Sequence, residues 1–70
     1  MKIPRDWSGA DMVRALKKLG FVPDRQVGSH LHMKKGARRV TVPMRTPIPP
    51  GTFQSILRQA GISLEELLNA

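Results

Sequence analysis

Apolar residues recur along this 70-residue chain with two different periods, and the period changes twice. In "SGADMVRALKKLGF", Met12, Val13, Leu16 and Leu19 fall on one helical face, with Arg14, Lys17 and Lys18 outside it. Ser8 is placed to cap this helix, and Asp11 completes a capping-box-like pair while favouring the positive end of the helix dipole. Gly20 suits the left-handed position after the last turn, with Phe21 folding back on Leu16. The period then shortens to two. "FVPDRQ" is the least regular extended segment, because Pro23 cannot donate to a ladder, and it reads as an edge or irregular strand. "HLHMKK" and "RVTV" alternate cleanly, with "KKGAR" supplying a Gly-containing turn between them. Alternate strand residues share a face, so Leu31, Met33, Val40 and Val42 point to the core. His30, His32 and Lys34 point the other way, beside Arg39 and Thr41.

Helical spacing returns after "VPMRTPIPPG", which holds four of the six prolines and supports no regular element. "PGTFQSILRQAG" carries an apolar stripe of Phe53, Ile56, Leu57 and Ala60, with Pro50 in the tolerated first turn and Gly61 as the stop. "SLEELLNA" opens with a second capping box, Ser63 to Glu66, and makes a short last helix. The order is helix, three strands, helix, short helix. Three antiparallel strands with one apolar face need a cover, and the two main helices supply it. The expected fold is an α/β (α+β) two-layer sandwich of the double-stranded-RNA-binding-domain type, one small domain spanning residues 1–70.

Composition changes this picture through charge. The chain carries +7, and all of the excess sits in its middle: Arg25, Lys34, Lys35, Arg38, Arg39, Arg45 and Arg58 lie between Arg25 and Leu64 without one Asp or Glu. Such a stretch attracts phosphates by counterion release and long-range steering, although a merely solvated basic face remains the plain alternative. There is no cysteine, so neither disulfides nor a thiolate metal site supplement a core that is marginal at this length. No apolar run approaches the ~20 residues needed to cross a bilayer, and the start lacks the apolar stretch of a secretory signal. A cytoplasmic protein is the expectation.

The two histidines, His30 and His32, stand two residues apart on the wet basic face, about 7 Å from one another at ~3.3 Å per strand residue. Histidine is the side chain best poised to exchange protons near neutral pH, and RNA brings its own nucleophile in the 2′-hydroxyl. A base, an acid and positive charge at phosphorus then suffice, with Lys34, Arg39 and Arg45 available as stabilisers. Against this, an exposed histidine in a basic sheet is more often a binding residue than a catalyst. An H-x-H pair lacks a third metal ligand, and no metal or other cofactor is expected. Gly28 and Ser29 read as turn residues, Gly28 supplying a positive φ. Trp7 reads as a lid on the core. With no tyrosine and two buried phenylalanines, recognition of backbone and shape fits better than base stacking.

The segments "LKKLGF", "RQVGSHLHM", "RVTVP" and "GTFQSILRQAGISLEELL", in this order from about Ile3 to Leu68, resemble the HicA family of toxins from type II toxin–antitoxin modules. The resemblance implies the same double-stranded-RNA-binding-domain-like fold and an mRNA interferase that cleaves RNA without a metal and arrests translation. It implies a HicB-type antitoxin as partner, the toxin being a monomer alone and a hetero-oligomer with that antitoxin. The family's essential histidine lies in the Gly-Ser-His element and falls on His30. His32 gains no role from the family and stands as an auxiliary candidate. Arg25, Ser29, Lys34, Lys35, Arg38, Arg39 and Arg45 are the candidate RNA-binding residues. One departure stands out: family members often carry a histidine two residues after the Val-Pro of the third strand, where this chain has Arg45 after Met44. Arginine stabilises charge but does not exchange a proton at neutral pH. The competing readings are a non-catalytic double-stranded-RNA-binding module of the same fold and a small structural or ribosome-associated basic protein.

Overall fold

A computed structural model describes residues 3–70. It contains α1 (Gly9–Lys18), β1 (Val22–Val27), β2 (His30–Lys35), β3 (Arg38–Pro43), α2 (Pro50–Ala60) and α3 (Leu64–Leu68), the order that the residue pattern predicts. The strands form one antiparallel sheet in the order β1-β2-β3. The helices lie on one face of it, with α2 and α1 against β3 and α3 against α1. The other face of the sheet is open to solvent. This is the two-layer α+β arrangement of the double-stranded-RNA-binding-domain type.

The local signals act as expected. Ser8 Oγ accepts from the Asp11 amide at 3.1 Å, and Asp11 Oδ2 accepts from the Ser8 amide at 3.0 Å, closing the capping box. The backbone and hydroxyl hydrogen bonds from Ser8, helped by Arg14, hold the Asp11 carboxyl below its usual range. That support for α1 is therefore present at neutral pH and is lost as pH falls through the depressed value. At the other end the Gly20 and Phe21 amides donate to the carbonyls of Lys17 and Leu16, the paired bonds of a Schellman ending. The second capping box, Ser63 with Glu66, starts α3. Both hairpins turn through two residues, Gly28–Ser29 and Gly36–Ala37, with φ of 60° and 59° at the glycines. A side chain added at either glycine would meet nothing, so the requirement is purely one of backbone conformation.

The core is a single cluster in which Met12, Leu16, Phe21, Met33, Val40, Val42, Phe53, Ile56 and Leu67 are buried. Leu31 pairs with Val42 and Met33 with Val40, so the two clean strands turn one apolar face to the helices. Trp7 packs half-buried on this core, 5.6 Å from Phe53 between ring centroids. The proline-rich loop also contributes, because Ile48 is buried there and its amide donates to the Trp7 carbonyl at 2.8 Å. A lone apolar residue among prolines has no period to reveal its burial.

The hairpin between β2 and β3 is pinned to the ends of both long helices. Lys35 Nζ donates to the Leu19 carbonyl at 2.7 Å and lies 5.9 Å from the centre of the Phe21 ring. Arg38 lies over Gly61, with Nη1 3.5 Å from the Gln59 carbonyl. Each cation thus sits where a helix exposes its unpaired carbonyls and negative pole. Gln59 Oε1 also accepts the outward amide of Thr41 at 3.0 Å, which, with Pro43 lacking an amide hydrogen, blunts the outer edge of β3.

Gly9 sets where α1 begins. Its amide donates to the Arg45 carbonyl at 2.9 Å, and a β-carbon there would stand 2.5 Å from the Pro43 carbonyl oxygen and 2.7 Å from the Met44 Cα. Alanine normally gains up to about 1 kcal/mol over glycine in a helix, and overpacking against backbone costs about 1–3 kcal/mol. The clash should win. Gly9→Ala is expected to lower the melting temperature by roughly 5–10 °C, measured by circular dichroism; an unchanged or raised value would show that the junction yields freely.

Candidate nucleic-acid interface

The strand register lays out the open face of the sheet. Val27, His30 and Pro43 form one cross-strand row, Arg25, His32 and Thr41 the next, and Lys34 pairs with Arg39 and Val22 in the third. His30 is the first residue of β2 and is exposed; His32 is half-buried at the centre of the face. Cross-strand neighbours lie about 4.5–5.5 Å apart and same-strand neighbours on one face about 7 Å apart. The Ser29 carbonyl accepts the Met44 amide at 2.6 Å, which ties the Gly28–Ser29 turn to the segment leaving β3. Arg45, exposed, follows directly on that anchor. The turn, His30 and the backbone of Arg45 are therefore gathered at one end of the sheet.

The two histidine rings differ in how they are held. Thr41 Oγ1 lies 3.1 Å from His32 Nδ1, within hydrogen-bond reach, and links the centre of the face across β2 and β3. Thr41 was placed on this face by alternation, but nothing in the sequence marks it as the partner of a particular histidine. The geometry supplies that.

Not all of the candidate cations meet here. Arg25, Lys34 and Arg39 share the open face with the histidines. Lys35 and Arg38 lie on the other side of the sheet, at the helix ends already described. Strict alternation separates Lys34 from Lys35 and Arg39 from Arg38, and the helices claim one of each pair.

The open face also holds an acid, contrary to the expectation of a purely basic seat. The register of β1 against β2 shifts between Pro23 and Arg25, and the extra residue, Asp24, turns toward Lys34 and Arg39. Its Oδ2 stands 3.1 Å from Arg39 Nη1 and its Oδ1 3.7 Å from Lys34 Nζ. The acid-free segment begins one residue after Asp24, so a count along the chain misses it, whereas a bulge returns it to the face. The irregularity of β1 was the one available hint.

Partly exposed ion pairs of this kind are worth about 0.2–1 kcal/mol, little enough for an incoming phosphate to displace Asp24. The face is open to solvent. Two grooves of about 310 and 270 Å³ lie instead in the helical layer, the first lined by Asp6, Asp11, Arg14 and Lys18 among others, the second largely apolar. Neither includes a histidine. An extended polyanion suits the sheet face better than a small molecule, which needs a concave site. Among the described residues no three His, Cys, Asp or Glu are grouped to hold a metal ion, and no helix is long and apolar enough to cross a membrane. Removing the internal competitor should strengthen polyanion binding. Asp24→Asn is expected to elute from heparin at higher salt than the native protein; earlier elution would mean that Asp24 organises the two cations rather than competing for them.

Comparison with known proteins adds an independent line. No curated protein matches the chain. A family profile described as a HicA toxin of bacterial toxin–antitoxin modules matches residues 9–62, from the first residue of α1 through the sheet and α2 to just before α3. That span covers most of the chain and includes both hairpin turns, His30 and the Gly9 junction. The chain therefore belongs to the HicA family of toxins of bacterial toxin–antitoxin systems.

Proposed function

We propose that this toxin is a metal-independent endoribonuclease that cleaves mRNA in the cytoplasm and so arrests translation, with His30 in proton transfer. The observation that carries this reading is the place of His30: exposed on the open sheet face, beside a tight turn, with Arg25, Lys34 and Arg39 on the same face and Arg45 at the same end. The substrate supplies the nucleophile. A 2′-hydroxyl loses its proton and attacks the adjacent phosphorus, the bond to the 5′ oxygen breaks, and that oxygen receives a proton. The fragments end in a 2′,3′-cyclic phosphate and a 5′-hydroxyl. His30 carries one of these two protons. The cations stabilise the extra charge on the crowded phosphorus, which is the larger part of what a protein must add. Ser29 and Arg45 bind the phosphates flanking the cleaved bond, and Lys35 and Arg38 serve the fold instead.

The partner is a HicB-type antitoxin that covers the open face with an acidic or strand-pairing surface, as its charge requires. The toxin acts as a single domain over residues 1–70, a monomer until it joins that partner. The second reading, a non-catalytic RNA-binding module, draws on Arg45 standing where relatives often have a second histidine.

One assay separates the two. RNA incubated with the protein in excess chelator should yield new ends, and His30→Ala should cleave at least about 100-fold more slowly while keeping its melting temperature and its affinity for RNA. The antitoxin should suppress cleavage and displace RNA from the native protein. Equal cleavage by native and variant would remove His30 from the chemistry. Salt-sensitive binding without new ends would favour the binding module.

A further inference from the structure

The reading above leaves one of the two proton transfers without a residue. Arg45, which follows the anchor between the Gly28–Ser29 turn and β3, exchanges no proton at neutral pH. We infer that His32 carries the second proton, and that Thr41 is the positioning residue that fixes which nitrogen does so. This rests on the proposed ribonuclease activity and adds to it a site for the second transfer.

The spacing of the two histidines suits a pair of proton transfers. In an in-line displacement at phosphorus, the attacking and leaving oxygens stand on opposite sides of the reacting atom. Two hydrogen bonds of about 2.6–3.2 Å must reach them from outside. Two side chains about 7 Å apart on one strand face, both directed at the same phosphate, meet that demand. His30 and His32 are the only histidines in the chain, and both are on the open face. No Asp or Glu other than Asp24 belongs to that face, and Asp24 is engaged by Arg39 and Lys34.

Thr41 gives the His32 ring a fixed partner. A hydroxyl both donates and accepts. Thr41 Oγ1, 3.1 Å from Nδ1, is the acceptor of Nδ1–H in this assignment, in the neutral ring and in the imidazolium alike. With Nδ1 keeping its hydrogen in both states, Nε2 is bare in the neutral ring and is the nitrogen that gains and loses the working proton. Pairing in the sheet fixes Thr41 directly opposite His32, so the ring is held by the register itself. His30, at the mouth of the face, is left free to approach the substrate.

The step balances. One histidine takes the 2′-hydroxyl proton as the new oxygen–phosphorus bond forms, and the other gives a proton to the 5′ oxygen as its bond to phosphorus breaks. The pair ends with its charge exchanged, and water restores it. The charged and titratable groups that share the face with His32 are Arg25 and Asp24 from β1, His30 and Lys34 on its own strand, and Arg39 from β3.

The test is the pH profile of single-turnover RNA cleavage in excess chelator by native protein, His32→Gln, Thr41→Val and Thr41→Ser, each first checked for native circular dichroism. The native profile should have two limbs. His32→Gln should lose one limb and at least about 100-fold in rate, with RNA affinity little changed. Thr41→Val should slow cleavage by about tenfold, the worth of one hydrogen bond, and shift the same limb, while Thr41→Ser restores both. Two limbs retained in an active His32→Gln protein would overturn the assignment, as would a loss confined to RNA affinity. Failure of the native protein to cleave at all would instead defeat the underlying ribonuclease reading. Native cleavage with an inactive His30→Ala and an undisturbed His32→Gln would defeat only this inference.

Discussion

A slip of one residue in β2 would turn His30 and His32 into the core and put Leu31 and Met33 in water. Everything proposed for the open face depends on that slip being forbidden. The apolar side chains of β2 forbid it, since burying Met33 is worth about 1.5–3 kcal/mol and would be forfeited in the shifted register, with histidines turned against Val40 and Val42 instead. Two Gly-first turns of two residues set the same register from either end of β2. Lys35 and Arg38 then lock the hairpin to the ends of both long helices. The dry and wet faces are thus one decision, made once by the period of two, and the chemistry occupies whichever side the core does not use.

Much of this is legible from residues because the signals are local and mutually consistent. Ser8 with Asp11, Ser63 with Glu66, and Gly20 with Phe21 each act within a few positions of themselves, and the alternation of "HLHMKK" and "RVTV" is unbroken. What escapes the sequence is set by distance in space. Asp24 reaches Lys34 and Arg39 only because a bulge redirects it. Gly9 is an ordinary helix residue until the end of β3 is brought against it. Ile48 gains its burial from the path of a loop, and Lys35 and Arg38 gain their roles from helix ends that no spacing rule places beside them. The candidate site divides likewise. Alternation puts both histidines on one face, but that Thr41 meets His32 through Nδ1 is a matter of rotamers.

The electrostatics of the open face are more measured than the net charge suggests. A wholly basic sheet would hold any polyanion. Asp24 holds two of the cations at rest, so a phosphate gains them only by displacing a carboxylate, and the pairs are exposed enough for that exchange to cost little. In the proposed ribonuclease, binding energy would thereby be directed toward the end of the face that holds His30 and the Gly28–Ser29 turn. An antitoxin with an acidic surface would exploit the same exchange, and one surface would then serve both substrate and inhibitor.

The central claim is that the protein supplies proton transfer and charge while RNA supplies the nucleophile. Analysis of the ends produced from an RNA and from its fully 2′-O-methylated counterpart, both in excess chelator, tests it most directly. The account predicts 2′,3′-cyclic phosphate and 5′-hydroxyl ends from the first and an intact second strand. Fragments ending in 3′-hydroxyl and 5′-phosphate, or cleavage of the methylated strand, would contradict it.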